Sequence, residues 1–213
     1  ISTLYNDEAL DVNQPLALGG ITDGVTNLEL AGAYAAIANQ GQYNAPKFYT
    51  RIEDQDGNVI LDNSPAPREV LKESTAFLLT SAMEDVVTKG TGTLINLGAM
   101  PVAGKTGTTD DSRSIWFAGY TPYYTCAVWG GYDNNDILPE GDTYRNYHKT
   151  LWNSIMSRIH QDLPVIDFSM PSDIVTASVC RKSGKLAIPG VCTADPRGDQ
   201  TYTEYFAAGT EPT

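Results

Sequence analysis

Three β-prone runs, residues 102–109, 114–120 and 124–132, follow one another with only short joins between them. The last join is Thr121-Pro122-Tyr123, a turn composition. Joins this short make an antiparallel meander, and Trp116, Phe117, Val128 and Trp129 give it bulky side chains that helices must cover. Helical patterns stand before and after the three runs and do not alternate with them. The fold class expected is therefore α+β, an antiparallel sheet with packed helices.

The flanking patterns are specific. Thr26-Asn27-Leu28-Glu29 is a capping box, and Leu30, Ala31, Tyr34, Ala35, Ile37 and Ala38 then recur at helical spacing. Asn39-Gln40-Gly41 ends that helix after about 13 residues. Lys47–Ile52, the Asp54-Gln55-Asp56-Gly57 turn and Val59–Leu61 predict a polar hairpin, a peripheral flap. A second helix is expected from Lys72 to Lys89, with Ala76, Leu79, Ala82, Met83, Val86 and Val87 on one face. Asp142 or Thr143 caps a third, running to Gln161, whose stripe is Tyr144, Tyr147, His148, Leu151, Trp152, Ile155 and Ile159. From Leu163 onward Pro164, Pro171, Pro189 and Pro196 punctuate short β-prone pieces such as Ile174–Val179. Residues 1–163 read as one domain portion, and 164–213 as a small β-rich C-terminal appendage.

Charge and cysteine usage narrow the partners. The 213 residues carry 14 basic and 26 acidic side chains, a net charge of −12, which repels nucleic acid and anionic lipid alike. No apolar run approaches the roughly 20 residues that cross a bilayer. The chain opens on Ile1-Ser2-Thr3-Leu4, with no initiator Met and no signal-peptide pattern, and reads as an excised piece. Cys126 lies in an apolar run and reads as a small buried hydrophobe. Cys180 and Cys192 flank a short polar loop, and in an extracytoplasmic protein a disulfide between them is expected. His148 and His160 lack ligand spacing, so no metal site and no cofactor are expected.

The chemistry concentrates in Pro101-Val102-Ala103-Gly104-Lys105-Thr106-Gly107-Thr108-Thr109. Lys105 supplies a positive charge, and Thr106 and Thr108, two apart, project to one strand face. Gly107 has no Cβ to keep a substrate away. A cation and two hydroxyls gathered on one face make a cradle for a carboxylate. Gly90-Thr91-Gly92 follows a helix and lacks the Gly-Lys-Ser/Thr ending, so it is not a phosphate loop.

Lys-Thr-Gly belongs to the motif set shared by serine β-lactamases and penicillin-binding proteins. With Pro-Val-Ala-Gly before it, Gly90-Thr91-Gly92 upstream and Trp116-Phe117-Ala118-Gly119-Tyr120-Thr121-Pro122 downstream, the chain resembles the C-terminal part of the transpeptidase domain of class A (bifunctional) penicillin-binding proteins. Leu18-Gly19-Gly20 and Ala33-Tyr34 extend the likeness upstream. Thr203–Pro212 resembles the tail of Gram-positive members.

The resemblance implies a penicillin-sensitive serine D,D-transpeptidase on the extracytoplasmic face of the cell membrane. It cross-links D-Ala-D-Ala stem peptides of peptidoglycan and is trapped by β-lactams. By the same resemblance, Lys105 orients the terminal carboxylate and supports proton transfer, and the Thr106 and Thr108 hydroxyls hold that carboxylate. The Thr108 N–H is an oxyanion donor, and Gly107 keeps the strand open. A glycosyltransferase domain and a membrane anchor are implied upstream. The departure is plain: the 213 residues contain no Ser-x-x-Lys and no Ser-x-Asn. The nucleophile is thus expected outside this chain, and the fragment alone is expected to be inactive, with the missing half of the domain as a partner and an apolar face left uncovered. Two other readings stand beside it. One is a serine β-lactamase-like hydrolase, separable by deacylation rate, and the other a non-catalytic extracellular module that binds cell-wall peptide.

Overall fold

The computed structural model describes residues 1–213, and the meander is its centre. In chain order the elements are α1 (Asn27–Ala38), β1 (Gln42–Tyr43), β2 (Arg51–Glu53), β3 (Val59–Asp62), β4 (Arg68–Glu69), α2 (Glu73–Thr88), β5 (Ala103–Thr108), β6 (Ser114–Tyr120), β7 (Thr125–Gly131), α3 (Asp142–Ile159), β8 (Ile174–Cys180) and β9 (Thr201–Ala207). The main sheet has the order β5-β6-β7, antiparallel throughout, with Thr106 opposite Phe117 and Phe117 opposite Val128. The molecule is α+β, as the pattern predicts.

Register decides which residues each helix layer receives. Ile115, Phe117 and Val128 share one face, where the fully buried Phe117 meets Trp152 of α3 edge to face, centroids 5.1 Å apart. Val87, Ile95, Val102 and Met156 complete this cluster. Trp152 donates its indole N–H to Cys126 O at 2.9 Å, so its one polar atom is satisfied in the core. On the opposite face Tyr120 packs with Met83 and Ala103, and edge to face with Tyr34 of α1. Its hydroxyl meets Thr80 Oγ1 of α2 at 2.8 Å.

Local chemistry sets the element ends. Thr26 Oγ1 accepts from Glu29 N, the cap of α1. Glu29 in turn accepts from both the N–H and the hydroxyl of Ser2, and these bonds hold its carboxyl down at about 2. Both strands of the β2–β3 hairpin are exposed along their whole length, and its turn is organised by Asp54. Its first strand is shorter than expected: ahead of Arg51 only Thr50 adds a backbone bond, its carbonyl accepting from Asn63 N at 2.8 Å, while Lys47 reaches Asn63 O and Ser64 O through its side chain. The buried stripe of α3 is His148, Trp152 and Met156. Tyr144, Tyr147, Leu151, Ile155 and Ile159, expected in that stripe, are exposed. No helix is long and apolar enough to cross a membrane.

In the appendage, β8 and β9 pair over seven residues, and Phe77 of α2 stacks edge to face on Tyr205. The bridge expected between Cys180 and Cys192 is not formed: both are free, buried thiols. The backbone N–H groups of Lys182 and Ser183, then Cys192, draw the Cys180 thiol down to about 7. Ile188 N–H favours the Cys192 thiolate too, but the neighbouring Cys180 thiol and burial outweigh that and push it up.

Candidate functional site

β5 is an edge strand, and it is covered unevenly. Helix α2 packs along its start, where Ala103 and Gly104 are buried, while Lys105–Thr108 are exposed or half-buried. Thr109 N donates to Ser114 O at 3.0 Å, which fixes the phase of the antiparallel ladder. Counting back from that hydrogen-bonded pair, Gly107 and Lys105 spend their backbone groups on β6. The N–H and C=O of Thr106 and Thr108 face the free edge. The Thr108 N–H is therefore available to an incoming oxygen.

The side chains divide between two faces, and here one expectation is corrected. Thr106 and Thr108 share a face, opposite Phe117 and Ile115. Lys105 and Gly107 lie on the other face, opposite Ala118 and Trp116, so the cation and the two hydroxyls do not form a one-face cradle. Strand alternation forces this, since Lys105 and Thr106 are adjacent. They converge at the edge instead: Lys105 Nζ reaches round to Thr106 O at 2.9 Å. No carboxylate pairs with Lys105. It is an exposed positive charge without a carboxylate partner in a chain of net charge −12.

Gly107 serves its own face. A Cβ there would stand 3.2 Å from Trp116 Cβ, tighter than ordinary packing. Trp116 and Trp129, ring centroids 6.4 Å apart, wall a cavity of about 970 Å³ with Leu18–Ile21, and Thr108 and Thr109 sit on its rim. The cavity thus opens beside the end of β5.

Beyond β5 the chain turns through Asp111 and Ser112, both at φ 56°, an uncommon left-handed pair of non-glycine residues. The turn is held by Ser114 N to Thr109 Oγ1 at 2.8 Å and by Arg113, which donates to Asn135 O at 2.7 Å. On the Thr106 face, Thr91 Oγ1 lies 2.6 Å from Thr106 Oγ1. Sequence reasoning missed this contact, because nothing in the local pattern ties position 91 to position 106.

No serine hydroxyl bonds a lysine or histidine side chain. The one hydroxyl–imidazole pair, Thr121 Oγ1 and His160 Nε2 at 2.7 Å, is buried and holds a turn, Thr121 Oγ1 also accepting from Tyr123 N and Tyr124 N. His160 Nδ1 donates to Met156 O, which leaves Nε2 as acceptor. His148 is buried, and burial lowers its imidazole to about 4, so it is a neutral core residue.

Residues 3–157 match the family described as penicillin binding protein transpeptidase domain, and residues 170–213 that described as penicillin-binding protein 1A, C-terminal domain. Penicillin-binding protein 1A of Clostridium botulinum (Langeland, Type F) is 39% identical over 199 residues, 93% of this chain and 24% of that protein. Penicillin-binding protein 1A/1B of Bacillus subtilis is 34% identical, covering 95% of this chain and 23% of its own length. This chain therefore spans about a quarter of such relatives. Among solved structures, penicillin-binding protein 1A from Haemophilus influenzae superposes over 100% of this chain and 35% of its own, with TM-score 0.81 and 25% identity. PonA1 from Mycobacterium tuberculosis, in complex with penicillin V, covers 75% of this chain and 44% of its own, with TM-score 0.66 and 25% identity.

Proposed function

Because this chain belongs to the penicillin-binding protein transpeptidase domain family, we propose that it is the carboxylate-clamp half of a peptidoglycan D,D-transpeptidase. The observation that carries this reading is a free-edge strand bearing Lys-Thr-Gly-Thr, with the Thr108 N–H turned away from β6 at that edge. A stem peptide ending in D-Ala-D-Ala lies extended along that edge as an added strand. Its terminal carboxylate takes the hydroxyls of Thr106 and Thr108, and Lys105 supplies the positive charge from the other face.

The reaction is acyl transfer. A serine hydroxyl oxygen attacks the penultimate D-Ala carbonyl, and the oxygen that becomes negative sits against the Thr108 N–H. The C–N bond breaks, the leaving D-Ala nitrogen takes up a proton with Lys105 near its carboxylate, and a serine ester remains. An amine from a neighbouring strand then displaces the serine. β-Lactams acylate the same serine. The 213 residues carry no Ser-x-x-Lys, so the serine comes from polypeptide beyond them, and the chain works on the extracytoplasmic side, where peptidoglycan is. Residues 1–163 are the transpeptidase portion and 164–213 an appendage.

Labelling with a fluorescent penicillin tests this. Two polypeptides are compared, this chain and one extended upstream by about 150 residues, a typical domain's length. Acylation of the longer one alone is the expected result. Covalent labelling of the 213 residues by themselves would mean a serine within them is the nucleophile. Labelling of neither would leave a peptide-binding module without acyl transfer.

A further inference from the structure

The clamp hydroxyl of Thr106 has a partner that no part of the Lys-Thr-Gly-Thr chemistry calls for. Thr91 comes from the loop that ends α2, and its hydroxyl lies 2.6 Å from Thr106 Oγ1. That loop is held at both of its glycines. Gly90 N and Gly92 N both donate to Val86 O, at 3.2 and 2.9 Å, and a Cβ on either glycine would meet Val86 O at 3.0 Å. The loop is also held at Thr91 itself, whose carbonyl accepts from Lys149 Nζ of α3 at 3.3 Å. Lys149 is half-buried, and desolvation lowers its pKa.

We propose that Thr91 is a positioning residue for the carboxylate clamp, and that Lys149 holds it in place. This rests on the clamp reading of Thr106 given above. A threonine hydroxyl has one proton to donate and two lone pairs. When Thr91 donates to Thr106 Oγ1, the Thr106 proton is free to point at a carboxylate on the open edge. The relay is then Thr91 O–H to Thr106 Oγ1, and Thr106 O–H to carboxylate. Each bond polarises the next, so Thr106 is a better donor than an isolated hydroxyl. The contact also selects one Thr106 rotamer before the ligand arrives. The ammonium of Lys149 lies close by on this face, so positive charge stands on both sides of β5, Lys105 on one and Lys149 on the other.

The test uses the longer polypeptide that supplies the serine, and compares acylation rate constants for benzylpenicillin and for its methyl ester, in which the carboxylate is masked. Thr91→Val keeps the shape and removes the hydroxyl. It is expected to slow acylation by the free acid about fivefold, the net worth of one hydrogen bond, and to leave the ester unchanged. Thr91→Ser restores the acid rate, and Lys149→Met lowers it in the same selective way. Equal slowing of acid and ester by Thr91→Val would make the contact merely structural, and no slowing would make it idle; either overturns the inference. Thr106→Val, run alongside, separates the two failures. If it discriminates acid from ester while Thr91→Val does not, only the relay falls. If Thr106→Val does not discriminate either, the clamp reading falls and takes the relay with it.

Discussion

Gly104 and Gly119 are opposite each other across β5 and β6, and the Phe117 ring lies over both. A Cβ at Gly104 would stand 2.6 Å from Phe117 Cζ and 2.9 Å from Ala118 O, and one at Gly119 2.7 Å from Phe117 Cε1. The two glycines let the ring settle on the sheet and meet Trp152. Gly104→Ala is expected to lose about 1–3 kcal/mol by overpacking, read as a lower urea midpoint, with the midpoint unmoved if the ring can slide. At this scale the sequence was informative about residue type and less so about direction. The Lys-Thr-Gly-Thr run named the four positions proposed for the clamp. The same alternation that joins Thr106 to Thr108 sends Lys105 to the other face, and the one-face cradle fails on it. Thr91 stood out only as part of Gly90-Thr91-Gly92; its bond to Thr106 was invisible because it is made by the fold, across fifteen residues of chain.

Among the elements, α2 has the widest duties: it covers the start of β5, ends in the Thr91 loop, and touches the appendage through Phe77 and Tyr205. It also carries Glu84, raised to about 7 by burial and then by the charges of Asp167 and Asp85. The folded state therefore holds a proton that the unfolded chain releases near 4.5. Stability falls as pH rises from about 4.5 to about 7 and levels off above that, so far as this group contributes. Glu84→Gln is expected to flatten that part of a stability-versus-pH curve, and an unaltered slope would remove Glu84 as its cause. Elements were legible where local chemistry is self-sufficient, as in the Thr26–Glu29 cap and the three-strand meander. The buried line of α3 was legible only in part: His148 and Trp152 are buried as expected, but Tyr144, Tyr147, Leu151, Ile155 and Ile159 are as apolar as a core stripe and stay exposed, while Met156 went unnamed and is fully buried. Apolar periodicity says that a face will be covered, and not by which residues of the same chain.

Taken whole, the molecule joins a strongly negative surface to an uncovered apolar face on α3 and an uncovered strand edge on β5. The negative charge keeps copies apart at low salt and is screened over about 10 Å at 0.1 M, so association should rise with ionic strength. The edge is the more selective hazard, because any extended backbone can add to it, another copy's β5 included. Two such edges meeting antiparallel about their middles would bring Lys105 close to its twin, and like charges there oppose the pairing. Lys105→Gln is accordingly expected to shift sedimentation toward dimers and larger species at concentrations where the unaltered chain remains monomeric. Identical profiles would show that the edge is guarded by something else. On this view one ammonium acts as both bait and gatekeeper: it invites a strand that ends in a carboxylate and turns away a strand that carries its own lysine.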